Sequence, residues 1–590
     1  MIFGKTINKY YLRYAPMLLF GLFALVLVDY FQLKIPEFYR IIINGMNGGT
    51  VEIGGEVKKF DINFLLDEIC LPMLLVILAM VIGRFLWRVC FFGAGIKMEA
   101  DLRARMFYNS RMLSQQYYQV NKVGNMMALF TNDLSAVQEC FGWGVMMFFD
   151  AFLLGGLSIY KMGRMDWKLT LLSLIPMVFL LIAGSIVGRF MTKKWDARQE
   201  AYSDISDFSQ ESFSGIAVIK AFVKESLELM SFRKLNRKNE DTNVDYTKAA
   251  TLLRIVVTLF VESVICVILG YGGYLVYIER FDAGQLVEFI GYFTAVVWPI
   301  TALSELIEMR SRGKASLDRI DELLSAEPDV KDKAGVRDVD FIRGDIEFKN
   351  LTFRHPCAEN AALTDVSFKI KAGENVGIIG KTGAGKTTLV DLILRIYNVP
   401  DGTLFVDGTD VNEIPIRTLR SFCAYVPQDN FLFSDTIRNN IAFASDGEDI
   451  ESVISSAKLS DVHDNISEFP EGYETVLGER GVTVSGGQKQ RISIARALMK
   501  DASILILDDS VSAVDTATER VILTNLKNNR RGKTTILIAH RVSTVEQMDK
   551  VIFIDDGKIV AVGSHDELVS GCPEYKTMVD LQRLEDKEGC

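Results

Sequence analysis

At 590 residues the chain is longer than a single hydrophobic core usually supports, so two or more domains are expected. Charged residues make up 24%, yet mean hydropathy is positive and phenylalanine alone numbers 37, which implies one apolar part and one soluble part. The formal charge of -10 argues against nucleic acid as a ligand, and eight scattered cysteines beside four histidines give no disulfide framework and poor material for a zinc site.

Lys5, Lys9 and Arg13 precede the first apolar run, and no small-residue cleavage site follows. That pattern reads as an interfacial amphipathic helix ahead of a retained membrane anchor. Hydrophobic stretches at 15–38, 66–90, 140–160, 168–188, 254–278 and 285–304 predict six transmembrane helices. The fourth holds LTLLSLIPMVFLLIAGSIVG, residues 169–188, without a charge. Asp29, Asp150 and Glu262 interrupt the first, third and fifth. A charge there is costly, so these acids either line a translocation path or serve helix contacts and the membrane interface.

Lys97, Arg103, Arg105, Arg111 and Lys122 lie between the second and third spans. Lys193, Lys194, Arg198, Lys220 and Lys224 are among the bases between the fourth and fifth. Those connections and both termini are therefore placed in the cytoplasm. The connections run to about 50 and 65 residues, and Leu102, Met106 and either Met112 or Leu113 recur near helical spacing. The spans are expected to continue as helices below the bilayer and to bend through short docking segments near 117–125 and 207–217.

Hydropathy falls after residue 305, and the expected boundaries are a membrane domain at 1–310, a linker at 311–342, a soluble domain at 343–582 and a tail at 583–590. Within the soluble part, VGIIGKTGAGKTTLV at 376–390 reads as strand, glycine-rich turn and helix in the full G-x-x-x-x-G-K-T pattern. Gly380, Lys381, Thr382, Gly383, Ala384 and Gly385 form the candidate phosphate loop. Lys386, Thr387 and Thr388 open the helix; Lys386 can reach the β- and γ-phosphates, and the Thr387 hydroxyl can ligate magnesium. The strand ILILD at 504–508 ends on Asp508, the candidate magnesium-side carboxylate. Ser485, Gly486, Gly487 and Gln488 directly precede a predicted helix whose N-terminal N–H groups can bind a phosphate.

With these motifs assembled, the chain resembles the ATP-binding cassette exporters in the form that fuses one six-helix domain ahead of one cassette. GNMMALFTNDLSAVQ at 124–138 and ESFSGIAVIKAF at 211–222 look like that family's intracellular-loop patterns. The resemblance makes SGGQ at 485–488 the signature motif, Gln428 the Q-loop glutamine and a further magnesium ligand, and SAVD at 512–515 the D-loop. It makes His540 the switch histidine and GERG at 478–481 a loop that contacts the membrane domain. The fold implied is an α-helical membrane domain of exporter type fused to an α/β P-loop ATPase cassette. ATP and Mg2+ are the implied cofactors. The resemblance also implies a dimer in which each phosphate loop faces the other chain's signature.

Two residues depart from the pattern. Where the family carries a glutamate that polarises the attacking water, this chain has Asp509, one methylene shorter. Where it carries a tyrosine that stacks on adenine, this chain has His355. Asp509 caps the following turn, or supports hydrolysis through backbone adjustment, or leaves its own site slow. The signature is intact apart from Val484 in place of leucine, and His540 is retained. Asp509 and His540 are the catalytic candidates. This asymmetry resembles one half of a heterodimeric exporter whose partner half-transporter bears the glutamate; a homodimer with slow sites is the competing form. The implied activity is ATP-driven export of a hydrophobic or amphipathic small molecule, lipid or peptide across the cell membrane, with lipid flipping as the alternative.

Overall fold

The computed structural model describes residues 4–588 apart from 54–55, 334, 357, 446–448, 479–480 and 482–483. Two compact units emerge: Met1–Arg111 with Gly124–Ser325, and Met112–Val123 with Ala326–Cys590.

In the first unit, α1 (Lys5–Arg13) buries Ile7 and Tyr10 while Lys5 and Lys9 stay outside, as an amphipathic helix should. The helices that follow are α2 (Ala15–Gln32), α3 (Ile35–Gly48) and α4 (Leu71–Ser110). The chain then passes through α5 (Gln115–Val120), which belongs to the second unit. It returns as α6 (Trp143–Met165), α7 (Trp167–Ser214), α8 (Glu225–Tyr277) and α9 (Ala283–Ser325). The pairs α2 with α4, α6 with α9, and α7 with α8 pack together most extensively. Asp166 starts α7 by accepting a 2.7 Å bond from the Leu169 N–H.

Among the described residues, five helical stretches are long and apolar enough to cross a membrane: Ala15–Gly48, Ile62–Ser110, Val123–Met165, Glu225–Tyr277 and Ala283–Ser325. The remaining expected span, 168–188, lies on α7, where the side chains of 177–189 fall outside the described residues. Large apolar side chains such as Leu74, Phe85 and Leu259 point outward, which a lipid environment favours and water does not. Of the three interrupting acids, Asp29 is buried, Asp150 half-buried and Glu262 exposed.

Two expectations shift. The second docking bend does not begin at 207, because nothing in DISDFSQESFS breaks a helix before Gly215; α7 runs to Ser214 and a short helix follows at Ile216–Ala221. Likewise 311–325, assigned to the linker, is the last part of α9.

In the second unit, six strands form one sheet. They are β3 (Asn375–Ile379), β6 (Cys423–Val426), β7 (Ile504–Asp508), β8 (Thr534–Ala539), β9 (Lys550–Asp555) and β10 (Lys558–Gly563), in the order β10-β9-β3-β8-β7-β6. All neighbours run parallel except β9 with β10. Strands β7 and β8 are buried at every position, which is why they read as unbroken apolar runs. A second, antiparallel sheet has the order β2-β1-β4-β5, from β1 (Ile346–Phe353), β2 (Leu363–Ile370), β4 (Leu404–Val406) and β5 (Thr409–Asp410). Helix α5 seats on this unit: Gln119 Nε2 donates to the Tyr397 hydroxyl at 2.9 Å, and Ser114 Oγ to Asp329 at 3.0 Å.

Candidate functional site

Adjacent parallel strands end at one edge of the six-stranded sheet, the position where open α/β sheets present ligand sites. Strand β3 runs into the loop 380–385 and then α10 (Lys386–Ile393); β7 ends on Asp508; β8 is followed by His540. The pairing of Asp508 with Ile538, and of Ala539 with Ile379, sets these three ends side by side.

The loop needs its glycines at two points. A Cβ on Gly380 would stand 2.0 Å from the Ile554 carbonyl oxygen. Gly385 has φ +96°, and its Cβ would meet Leu363 at 2.8 Å and the Ala362 carbonyl at 2.9 Å. Within the turn, Lys386 Nζ folds back to donate to the carbonyls of Gly380 (2.9 Å) and Lys381 (2.8 Å). Burial holds its pKa below the ordinary lysine value, against the pull of Asp509 and Asp508. Lys381 pairs instead with Asp555 at 3.0 Å, Thr382 and Gly383 lie exposed on the loop, and Ala384 is buried.

Asp508 is 1% exposed, and its Oδ2 meets no donor. Burial pushes its pKa up, while a hydrogen bond from the Thr387 hydroxyl pulls it down; Lys386 and His540 act in the same downward sense. A buried acid with an orphaned oxygen beside a threonine hydroxyl fits a hard divalent cation, which takes oxygen ligands. These residues thus fit magnesium with a nucleotide phosphate.

The neighbouring acid behaves differently. Asp509 has φ +48°, in the left-handed region, where aspartate is tolerated better than longer side chains. Its N–H donates to the Ile538 carbonyl at 3.0 Å, and its carboxylate meets Gln428 Nε2 only at 3.5 Å. His540 is fixed through its carbonyl, which accepts from Gln582 Nε2 at 2.7 Å.

Ser485 caps α11 (Gly486–Met499): its hydroxyl accepts the Gln488 N–H at 3.2 Å, and Gln488 Oε1 accepts the Ser485 N–H at 2.9 Å. Nothing stands within 4 Å of a Cβ built on Gly486, so the start of α11 is open. Gly487, by contrast, packs close to the Ala513 carbonyl. Among the described residues no hydrogen bond joins Ser485–Gln488 to the loop Gly380–Thr388. The two phosphate-facing features of one chain are thus built separately.

His355 sits at the end of β1. Its Nε2 lies 3.1 Å from Thr388 Oγ1, and its ring meets Phe353 and Tyr397 edge to face, centroids 5.1 and 5.0 Å away. Burial lowers its pKa, so the ring favours the neutral form. Glu479 and Arg480 of GERG lie outside the described residues.

Three residues were not singled out from sequence. Gln490 staples α11 to the acid turn: its Nε2 donates to the Asp509 carbonyl (3.2 Å) and its Oε1 accepts the Ala513 N–H (3.1 Å). Burial, with Asp508 nearby, pushes the Tyr425 hydroxyl pKa up, and burial beside Asp508 pushes the Asp391 carboxyl up to about 7. No local motif marks them; only their spacing from the SGGQ and phosphate-loop runs could have.

Comparison with known proteins accords with this architecture. Residues 18–300 match the ABC transporter transmembrane region family, and residues 363–512 the ABC transporter family. The chain is 36% identical to the "Probable multidrug resistance ABC transporter ATP-binding/permease protein YheI" of Bacillus subtilis, covering 98% of this chain and 97% of that one. It is 34% identical to the multidrug resistance-like ATP-binding protein MdlA of Escherichia coli, over 95% and 93%. A bacterial Atm1-family ABC exporter with ATP bound superposes with TM-score 0.76 at 25% identity, covering 98% of each chain. The chain therefore belongs to the ATP-binding cassette exporters, multi-pass membrane proteins that carry a membrane region and a cytoplasmic, magnesium- and ATP-dependent hydrolytic cassette in one polypeptide.

Proposed function

We propose that this chain is one half of a heterodimeric exporter, and that its own phosphate loop belongs to the slower of two ATP sites. The observation that carries the reading is Asp509: the second acid is short, sits in a left-handed turn, and reaches Gln428 only at 3.5 Å. General-base work needs hydrogen-bond reach to the attacking water, and a misplacement of about 1 Å costs on the order of 10²-fold.

In this reading Lys386 and the N–H groups of 380–388 hold the phosphates, Thr387, Asp508 and Gln428 hold magnesium, and His355 lies against the base. Bound ATP supplies the phosphoanhydride. His540 steadies the γ-phosphate end. The open start of α11, with Ser485, Gly486, Gly487 and Gln488, completes the partner's site rather than its own. Contacts across such a joint exist only while the γ-phosphate is present, so closure and reopening of the cassettes follow its presence and release. The membrane region is read as six spans, the 48-residue α7 supplying the fourth. Its cargo is hydrophobic or amphipathic, in line with the multidrug names of its relatives.

The test is reconstitution. Purified alone, the chain should hydrolyse ATP slowly. Combined with a half-exporter that carries the glutamate, it should give fast turnover that is lost when the partner's glutamate becomes glutamine and survives Asp509→Asn. Fast turnover by the chain alone, abolished by Asp509→Asn, would overturn the reading.

A further inference from the structure

Asp29 on α2 is 1% exposed, although it lies inside an apolar run. One of its oxygens, Oδ2, meets no N–H or O–H donor among the described residues. The side chain that acts on it most strongly is the Asp150 carboxyl on α6, itself an acceptor when ionised. Asp150 in turn accepts a 2.6 Å bond from the indole N–H of Trp298 on α9. From α4, the Arg84 guanidinium acts on both acids at longer range and donates to Gln32 at 3.3 Å. Lys34, Glu37 and Lys161 of the same unit are paired with one another. Were both acids ionised, two carboxylates against one guanidinium would leave one negative charge, buried where charge is costly.

A purely structural polar contact between helices would have its donors and acceptors matched. This one lacks a donor, and either a proton or a bound cation would supply it. A metal ion is a poor match, because no group of three or more His, Cys, Asp or Glu side chains that could hold one occurs among the described residues. The surroundings are apolar and aromatic instead: Leu25, Val28, Trp87, Val145 and Phe149 pack between α2, α4 and α6, and the Trp298 ring is 40% exposed beside Asp150. An aromatic face next to an acid suits an organic cation.

We propose that Asp29, Asp150 and Trp298 form a membrane-level binding site for a monovalent organic cation, a protonated amine on an apolar body, in competition with a proton. This rests on the exporter reading above and gives it a cargo class. Binding is measured apart from transport, so the two fail separately: ATP-driven movement into vesicles tests the exporter, and equilibrium binding without ATP tests the site.

The probe is dansylcadaverine, whose amine has an ordinary alkylamine pKa of about 10 and stays charged from pH 6 to 8. Its N-acetyl derivative keeps the dye and loses the charge. With the full chain in lipid nanodiscs, the amine should bind more tightly at pH 8 than at pH 6, by tenfold or more, while the acetylated dye shows no such change. Asp29→Asn and Asp150→Asn should weaken the amine at pH 8 at least tenfold, flatten its pH dependence and leave the acetylated dye unaffected. Equal weakening of both dyes, or unchanged amine binding in the variants, would overturn the site. The wild-type pH comparison needs no variant to fold, and a flat profile there would overturn it too.

Discussion

Restoring the longer acid is the sharpest test of the site. In Asp509→Glu the side chain gains one methylene, about 1.5 Å of extra reach. If that reach is what the water-activating acid lacks, recovery on the order of 10²-fold is expected, equivalent to about 2.7 kcal/mol in the barrier. Some of this is returned, because residue 509 stands at φ +48° and glutamate is less at ease there than aspartate, by up to about 1 kcal/mol. The net expectation is a ten- to hundredfold rise in turnover by the chain alone, with a slightly lower cassette melting temperature. The assay is phosphate release by the full chain in nanodiscs, with Asp509→Asn as the baseline. An Asp509→Glu rate equal to wild type, with protein that still binds ATP, would refute the argument that reach limits this site.

Gly385→Ala should destabilise the cassette by about 1–3 kcal/mol, read as a lower melting temperature, because its Cβ meets Leu363 and the Ala362 carbonyl at a positive φ. Gln490→Leu removes two bonds and leaves the Asp509 carbonyl and the Ala513 N–H wanting, a cost of about 2–3 kcal/mol in denaturant unfolding. It should also slow the partner-dependent ATPase, since α11 loses its tie to the acid turn. Asp391 titrates near 7 in the folded cassette against an ordinary 3.8, so the unfolded chain releases this proton first. Its carboxyl therefore costs nothing below about pH 4, costs progressively more stability as pH rises to 7, and plateaus above. Asp391→Asn should raise the melting temperature of the nucleotide-free protein at pH 8 and leave it unchanged at pH 4.

What the sequence determined by itself is whatever rests on local periodicity and on turns with unusual backbone demands. The G-x-x-x-x-G-K-T run is legible because only glycine fits where the Ile554 and Ala362 carbonyls crowd Gly380 and Gly385. The ILILD and TTILIA runs are legible because a strand buried on both faces has no polar alternation. Long apolar runs announce membrane helices for the same kind of reason: backbone groups in lipid must be satisfied within the segment. Tertiary structure alone decided where side chains from distant segments meet. Gln490 sits 19 residues before the carbonyl it holds, and Asp29 lies far along the chain from Asp150. The left-handed turn at Asp509 was equally invisible, since most aspartates of the chain adopt ordinary conformations and only some, such as Asp365, Asp407 and Asp556, share its positive φ. Such contacts depend on how strands and helices stack, which no periodicity records, and they set how far each acid can reach.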